Sequence, residues 1–179
     1  MVKMYHLIHI PSPMGEIYLE AKDECLTGIW IDGQGTGESI KVGYEESENE
    51  VLHEARLWME SYLRGENPEL SRLPFSLDEN VKGSAFAKCI WKLLCEIPYG
   101  EVVTYGDIAK KAAMLMGKGR MSAQAVGGAV GSNPLAIVVP CHRVVGANYN
   151  LTGYGGGLDK KIWLLAHEGI AVDKYHMPK

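Results

Sequence analysis

Apolar and polar residues alternate in the first part of this chain and recur at helical spacing through most of the remainder. Within 15–34, two alternating runs flank a polar turn at 22–24, which predicts a β-hairpin. A helix is predicted next, ending at Gly65, because apolar residues recur every three or four positions before it. Its apolar face comprises Leu52, Ala55, Met59 and Tyr62. We therefore expect residues 1–80 to form a small, acidic α/β domain with a structural role, since no reactive cluster is visible in it.

The second half is predicted to be mostly helical. An apolar helix face over 83–98 is followed by the helix-terminating sequence PYG. Thr104 can cap a second helix, because Asp107 three residues later completes a capping box. After a turn rich in Gly and Lys, Ser122 can cap a third. Two short helices joined by a turn are typical of a helix-turn-helix, so we expect residues 81–179 to form a helical DNA-binding domain.

The helix that starts at Ser122 consists almost entirely of small residues. Gly127 and Gly128 each cost about 1 kcal/mol relative to Ala in a helix interior, so some contact should compensate. An ordinary helix is ~10–12 Å across, whereas the minor groove of B-DNA is only ~6 Å wide. A helix of Ala, Gly and Ser could approach such a groove. Close packing against another helix is the alternative explanation for the same glycines.

The net charge of −4 hides an asymmetry between the two halves. Residues 1–80 carry 6 Lys/Arg and 16 Asp/Glu, a balance of −10. Residues 81–179 carry 12 Lys/Arg and 6 Asp/Glu, a balance of +6. This asymmetry indicates a polyanionic partner for the second half, although a chance distribution of solvated charge would give the same counts.

Composition excludes several classes of protein. No apolar run approaches the ~18–20 residues of a membrane span, and no signal-peptide cleavage site is visible. We therefore expect no membrane partner and a cytoplasmic location, or a nuclear one in a eukaryote. His6 and His9 would point to opposite faces of a strand, so no metal site is expected there. The four cysteines include no CxxC pair and are expected to be free thiols: Cys25, Cys89, Cys95 and Cys141.

The stretch IVVPCHRVVG at 137–146 is the candidate reactive site of the chain. Five branched aliphatic residues surround Cys141, His142 and Arg143, and Pro140 interrupts the run where the chain must turn. The three polar residues are therefore expected on a bend that leaves a rigid core. Such a bend suits a reactive site.

Cys141 could be a nucleophile, a metal ligand or a core thiol. No second cysteine lies at a useful ligand spacing, which argues against a metal. An ordinary thiol of pKa ~8.5 is mostly protonated at neutral pH, so a nucleophile needs a base. His142 could take the proton, directly or through a water, and Glu168 in WLLAHEG could orient His142.

These residues carry a resemblance to a known family. PCHRVVG followed by LTGYGGGLDKKIWLLAHEG resembles the O6-alkylguanine-DNA alkyltransferases, as do IPYGEVVTYGDIA and AVGGAVGSNP. The resemblance runs from about Trp91 to Gly169, and LTGIWIDGQ in the first half is similar but less specific. It implies a ribonuclease-H-like α/β domain followed by a helical domain with a helix-turn-helix of winged-helix type.

The resemblance also implies roles for individual residues. Cys141 is expected to accept the alkyl group, with His142 as the water-linked base and Glu168 as its orienting partner. Asn133 is expected to be the hinge between the recognition helix and the active-site loop, and Tyr105 the pocket tyrosine near the leaving oxygen. The wall and lid of the guanine pocket are expected from Val144, Tyr154, Gly155 and Gly156. Contacts to DNA are expected from Arg120, Ser122, Ala123, Gln124, Ala125, Gly127, Gly128 and Arg143.

The implied reaction is a direct reversal of DNA damage. The damaged guanine is flipped out of the duplex, and the Cys141 sulfur displaces it from the O6-alkyl carbon. The thioether product is stable, so each molecule acts once, as a monomer, without cofactor or metal. The substrate is double-stranded DNA that contains O6-alkylguanine, with O4-alkylthymine as a second candidate.

One position departs from the family pattern. Gln124 stands where most members place an arginine finger that fills the gap left by the flipped base, and the turn before it is longer than usual. Arg120, four residues earlier, is the alternative source of a cation. A lesion sensor that transfers nothing, a helix-turn-helix regulator and a cysteine hydrolase are the competing functions. The presence of Cys141 favours repair over the sensor, in which another residue replaces the cysteine.

Overall fold

The computed structural model describes residues 4–154 and 157–177, and the chain divides into two units. The first unit is built on a four-stranded sheet of order β3-β2-β1-β4. Its strands are β1 (Tyr5–Ile10), β2 (Ile17–Lys22), β3 (Cys25–Ile31) and β4 (Tyr44–Glu45). The first three form an antiparallel meander, and β4 pairs with β1 in parallel. The predicted hairpin is confirmed as β2–β3, with Asp23 in the left-handed conformation at the turn.

Helix α2 (Glu50–Leu63) covers this sheet, after the short helix α1 (Ser39–Val42). Asn49 caps α2 by accepting a hydrogen bond from the Leu52 amide at 2.9 Å. The predicted apolar face is confirmed, since each of its four members is buried. It packs with apolar strand residues to form the core of this unit, including Ile17, Leu19, Leu26 and Ile31.

The boundary between the units differs from the predicted one at 80/81. The first unit runs to Lys82 and also contains Pro134–Ala136. Leu135 forms a parallel bridge with Ile29, whose backbone N–H donates to the Pro134 carbonyl at 2.8 Å. This return of the chain was not predicted, because three residues are too few to show a periodicity.

The second unit is mostly helical. It contains α3 (Ala85–Leu94), α4 (Tyr105–Leu115), α5 (Ala123–Gly131) and α6 (Leu158–His167). Two short strands, β5 (Val103–Thr104) and β6 (Val144–Val145), pair in parallel. Single 3-10 turns at Cys141–Arg143, Ala147–Tyr149 and Val172–Lys174 complete it. Helices α3, α4 and α5 pack together, and none of the described helices is long and apolar enough to cross a membrane.

The helix starts in this unit follow the predicted caps. Ser84, Thr104 and Ser122 each accept a backbone hydrogen bond at the start of α3, α4 and α5, and Thr104 forms the full capping box with Asp107. Helix α3 is shorter than the predicted 83–98, ending at Leu94. Cys89 within this helix and Cys95 just after it are both half-buried.

Candidate active site

Cys141 lies in a single 3-10 turn that follows a strained segment of backbone. Ile137 has φ 71°, a left-handed conformation that costs a β-branched residue about 1–3 kcal/mol. The Cys141 amide donates to the Val139 carbonyl at 2.8 Å, and the Asn133 side-chain amide donates to the same carbonyl at 2.7 Å. Cys141 is buried, not presented at the surface as the bend had suggested. The thiol is therefore held at a fixed place inside the unit.

Opposing influences act on this thiol. Burial raises the pKa of Cys141 above its ordinary value, because a thiolate is poorly solvated there. A hydrogen bond from Asn133, the nearby ammonium of Lys161 and the backbone N–H of His142 all favour the thiolate, but they do not overcome burial. The resting protein therefore holds a protonated thiol beside groups that stabilise the anion once a base removes the proton.

His142 is a fully buried imidazole with one nitrogen engaged and one available. Its Nε2 and the Glu168 Oε2 are 2.5 Å apart. Because Glu168 is ionised, the proton of this hydrogen bond belongs on Nε2, which leaves a lone pair on Nδ1. Nδ1 has no hydrogen-bond partner among the described residues. Burial lowers the pKa of His142 despite the opposing effect of Glu168, so the imidazole is neutral and can act as a base.

Glu168 is buried at the end of α6 and is held on several sides. Burial opposes its charge, but hydrogen bonds from His142, Arg143 and the Gly100 amide keep the pKa of Glu168 well below its usual range. The Gly100 N–H donates to Oε1 at 3.0 Å. Gly100 has φ 79°, and a Cβ there would lie 3.1 Å from the Glu168 carbonyl oxygen, so glycine is required. The predicted Cys141, His142 and Glu168 are thus brought together.

Arg143 lies inside the site, not on a surface available to DNA. Its Nε donates to Glu168 Oε1 at 2.8 Å, and its Nη1 donates to the Ile97 carbonyl at 2.7 Å. The side chain is almost fully covered. The expectation that Arg143 contacts DNA conflicts with this geometry, because its donors are already used to hold the carboxylate that holds His142.

Lys161 is a site residue that the sequence analysis missed. It is fully buried on α6, where its Nζ donates to the carbonyls of Val144 at 2.6 Å and Thr152 at 2.9 Å. Burial lowers the pKa of Lys161 to about 8, and its charge is coupled to that of Cys141. A helical signal was available, because 161, 164 and 165 form the buried face of α6.

The remaining pocket residues lie around this centre. Tyr105 is the first residue of α4, directly after the capping box at Thr104. Burial raises the pKa of Tyr105, and the nearby Cys141 raises it further. Val144 is buried in β6, and Tyr154 is half-buried. Gly155 and Gly156, predicted as part of the lid, lie outside the described residues.

Helix α5 presents an open face of small residues. Trp91 anchors its inner side, donating from Nε1 to the Ala129 carbonyl at 2.9 Å. A Cβ at Gly128 would meet no described atom within 4 Å, and one at Gly127 would meet only a Tyr105 ring carbon at 3.9 Å. Close helix packing therefore does not explain these glycines. The exposed residues at its start are Ser122, Ala123, Gln124 and Ala125, preceded by the exposed Arg120 in the turn.

Among the described residues, no group of three or more His, Cys, Asp or Glu side chains could hold a metal ion. The four cysteines are free thiols.

Comparison with known proteins places this geometry in a family. Residues 85–170 match the family model of the 6-O-methylguanine DNA methyltransferase DNA-binding domain. A methylated-DNA–protein-cysteine methyltransferase of Haemophilus influenzae is 37% identical over 97% of this chain and 92% of its own length. The chain belongs to the methylated-DNA–protein-cysteine methyltransferase family.

Two further comparisons support membership. A methyltransferase of the same name from Methanosarcina acetivorans is 42% identical over 93% of this chain and 99% of its own length. A solved structure of Mycobacterium tuberculosis OGT in complex with DNA superposes with a TM-score of 0.77, at 35% identity, covering 92% of this chain and 93% of that one. Membership of this methyltransferase family supplies a reason for a buried cysteine and an open helix of small residues in one unit.

Proposed function

We propose that this protein repairs DNA by moving the alkyl group of O6-alkylguanine onto Cys141, once per molecule. The observation that carries this proposal is the Glu168–His142 hydrogen bond, which leaves the Nδ1 of a neutral, buried imidazole without a partner among the described residues. A histidine in that state, next in sequence to a buried thiol, is suited to act as a base.

The steps balance without any cofactor. Nδ1 of His142 takes the thiol proton, directly or through a water. The Cys141 sulfur attacks the alkyl carbon, the carbon–O6 bond breaks, and its electron pair goes to the guanine. Tyr105 assists the departing base by hydrogen bonding, and the proton taken by His142 returns to the base. A thiol and an O6-alkylguanine thus become a thioether and a guanine.

The DNA must deliver the base to a buried thiol, so we propose that the damaged nucleotide is flipped out of the duplex. Helix α5 would enter the minor groove through its exposed small residues, with Gln124 filling the gap left by the flipped base. Val144 and Tyr154 would line the pocket, and Asn133 would couple α5 to the Cys141 turn through its bond to Val139. Arg143 is proposed as a positioning residue for Glu168.

We further propose a division of labour between the units. The first, a ribonuclease-H-like α/β unit, would be structural, and the second would carry a helix-turn-helix of winged-helix type with the β5–β6 pair beside it. The four free thiols are consistent with a cytoplasmic location, and we propose that the protein acts as a monomer.

Stoichiometry tests the proposed function. Protein is mixed with an excess of duplex DNA containing radiolabelled O6-methylguanine, and label on protein is counted against time. The expected result is one methyl group per molecule and no second turnover on long incubation. Continued turnover, or release of label to water, would identify a hydrolase instead. DNA binding without any transfer would identify a lesion sensor.

A further inference from the structure

Helix α4 and the turn after it carry an exposed face that the proposed chemistry leaves unused. Lys110 and Lys111 are exposed on α4, and Lys118 and Arg120 are exposed in the turn. The sequence contains no Asp or Glu between Asp107 and Asp159. Asp107 at the start of α4 interacts electrostatically with Lys110 and Lys111. No other acidic residue lies in this part of the chain, so positive charge predominates there.

Apolar side chains lie among these cations. Met114 is 81% exposed and Leu115 is 67% exposed. They follow Lys110 and Lys111 by four residues each, so they share the same outer face of α4, while the opposite face is buried through Ile108. Met114 and Leu115 are adjacent in the chain and form a contiguous exposed apolar cluster, and such clusters mark interaction sites.

The end of α4 has a regular, hydrogen-bonded backbone conformation. Gly117 has φ 64°, its N–H donates to the Met114 carbonyl at 3.3 Å, and the Lys118 N–H donates to the Ala113 carbonyl at 2.8 Å. These two bonds form a Schellman motif, which usually ends with an apolar residue covering the last turn. Here Lys118 occupies that position. Because a lysine and not an apolar residue follows Gly117, the positive charge of α4 continues into the turn.

Helix α5, by contrast, contains no charged residue from Ala123 to Gly131. Binding to duplex DNA depends largely on cations that neutralise phosphates. A helix of this composition can fit a groove but cannot supply that attraction. The turn 116–122 leads directly from the cationic face of α4 to the start of α5, so the two surfaces are continuous along the chain.

We propose that the α4 turn patch, defined as Lys110, Lys111, Met114, Leu115, Met116, Lys118 and Arg120, is a second DNA-binding surface. Its cations contact phosphates beside the lesion, and Met114 and Leu115 pack against the sugar edges of the adjacent minor groove. Minor-groove proteins use apolar side chains, Met and Leu among them, as wedges between base steps, so these residue types are suited to contact the groove. The patch supplies the electrostatic affinity that α5 lacks. This inference rests on the proposed DNA substrate.

A second copy of the chain is a poorer occupant. In a twofold dimer the same patch meets itself, so four cations would face four cations. A polyanion removes this repulsion and also fits the excess of positive charge in the patch.

Two double variants test the proposal by measuring affinity for a lesion-containing duplex across a range of salt concentrations. Lys110→Gln with Lys111→Gln removes charge, and Met114→Ser with Leu115→Ser removes apolar surface. Matched controls are Lys174→Gln and Met177→Ser, since both residues are exposed in the same unit but outside the patch. Melting temperatures establish that each variant is folded.

The two variants should change DNA binding in different ways. The lysine variant should make the plot of log affinity against log salt shallower by about 2, because two phosphate contacts are lost. The Met/Leu variant should bind about tenfold more weakly with an unchanged salt slope, because it loses only apolar burial. Both controls should bind like the wild type.

Affinities equal to those of the controls would overturn the proposal. So would loss of self-association in the Met/Leu variant without loss of DNA affinity, measured by sedimentation, since the patch would then bind a second copy. Wild-type protein that binds DNA but transfers no methyl group would reject the proposed function while leaving the patch proposal standing.

Discussion

Two regions of the second unit are built on opposite principles. The site around Cys141 is buried and rich in charge, and each charged side chain there is held by hydrogen bonds, as Glu168 is by His142, Arg143 and Gly100. The exposed face of α5 has no charge, no bulky side chain and, at Gly128, no described neighbour within 4 Å. One region fixes a reactive atom, and the other keeps space for a large partner.

This contrast predicts how substitutions in each region affect methyl transfer. In the buried region each polar group constrains another, so a single change removes both a contact and the position of its neighbour. On the open face a change removes only what that side chain offers to the partner. Effects on transfer rate should therefore be large in the first region and modest in the second.

The largest effect is expected at the base. His142→Ala should slow methyl transfer by about 10²–10⁴-fold, the usual contribution of a positioned general base, with little change in DNA affinity. The measurement is single-turnover kinetics on a methylated duplex. Transfer by His142→Ala at the wild-type rate at neutral pH would contradict the assignment.

The same pair predicts a pH profile. A base works when deprotonated, so the wild-type rate is lost as pH falls through the pKa of His142. Because burial lowers that pKa, the fall should come below the ordinary value of about 6.5. In Glu168→Gln the base is weakened, and because the pKa of Cys141 is raised, transfer should depend on alkaline pH. A Glu168→Gln profile identical to wild type would separate Glu168 from activation.

Arg143 was predicted to contact DNA but lies in the buried site, so its substitution distinguishes the two roles. Removing one partner of a largely buried ion pair leaves the other uncompensated, so Arg143→Ala should destabilise the fold by about 3 kcal/mol and slow transfer. The salt dependence of DNA binding should be unchanged in protein that remains folded. A shallower salt slope at full stability would return Arg143 to the DNA interface.

Lys161 should have a smaller effect, through the thiol. Lys161→Met removes an ammonium whose charge favours the Cys141 thiolate, so the pKa of Cys141 should rise further and transfer should slow by about tenfold. The pKa is obtained from the rate of iodoacetamide alkylation against pH, with Cys141→Ser as the blank. An unchanged alkylation profile would limit Lys161 to holding the carbonyls of Val144 and Thr152.

The smallest effect is expected on the open face. Gln124→Ala should slow repair about threefold to tenfold in duplex DNA and leave single-stranded substrate unaffected, because only a duplex leaves a gap when a base is flipped. Gly128→Ala is a matched variant on the same face, and it tests whether DNA needs the open space beside Gly128. Equal effects of Gln124→Ala on both substrates would exclude the role of Gln124 in filling the gap.

The elements that could be predicted from the sequence are those determined by residues close together in the chain. The capping box of Thr104 and Asp107 starts α4 where expected, and the apolar spacing of α2 identifies its buried face. Cys141, His142 and Glu168 lie together as their motifs indicated. Each of these depends on residues near in sequence or on a motif whose members lie in one unit.

What the sequence did not predict depends on distant partners. From the sequence alone, Arg143 looks like any arginine that could contact DNA. Only the folded positions of Glu168 and Ile97 show that its N–H groups donate within the protein. Lys161 was hidden because a buried lysine needs backbone acceptors from other segments, here Val144 and Thr152, which no periodicity reveals. The strand β1 was obscured by His6 and His9 within its apolar pattern.

If Cys141 itself receives the alkyl group, the mass of the protein after reaction must change by that group. Wild-type protein incubated with O6-methylguanine DNA should gain one methyl group in place of a hydrogen, on the peptide that contains Cys141. Cys141→Ser should bind the same DNA and gain nothing. An unchanged wild-type mass, or a methyl group on Cys25, Cys89 or Cys95, would contradict the account.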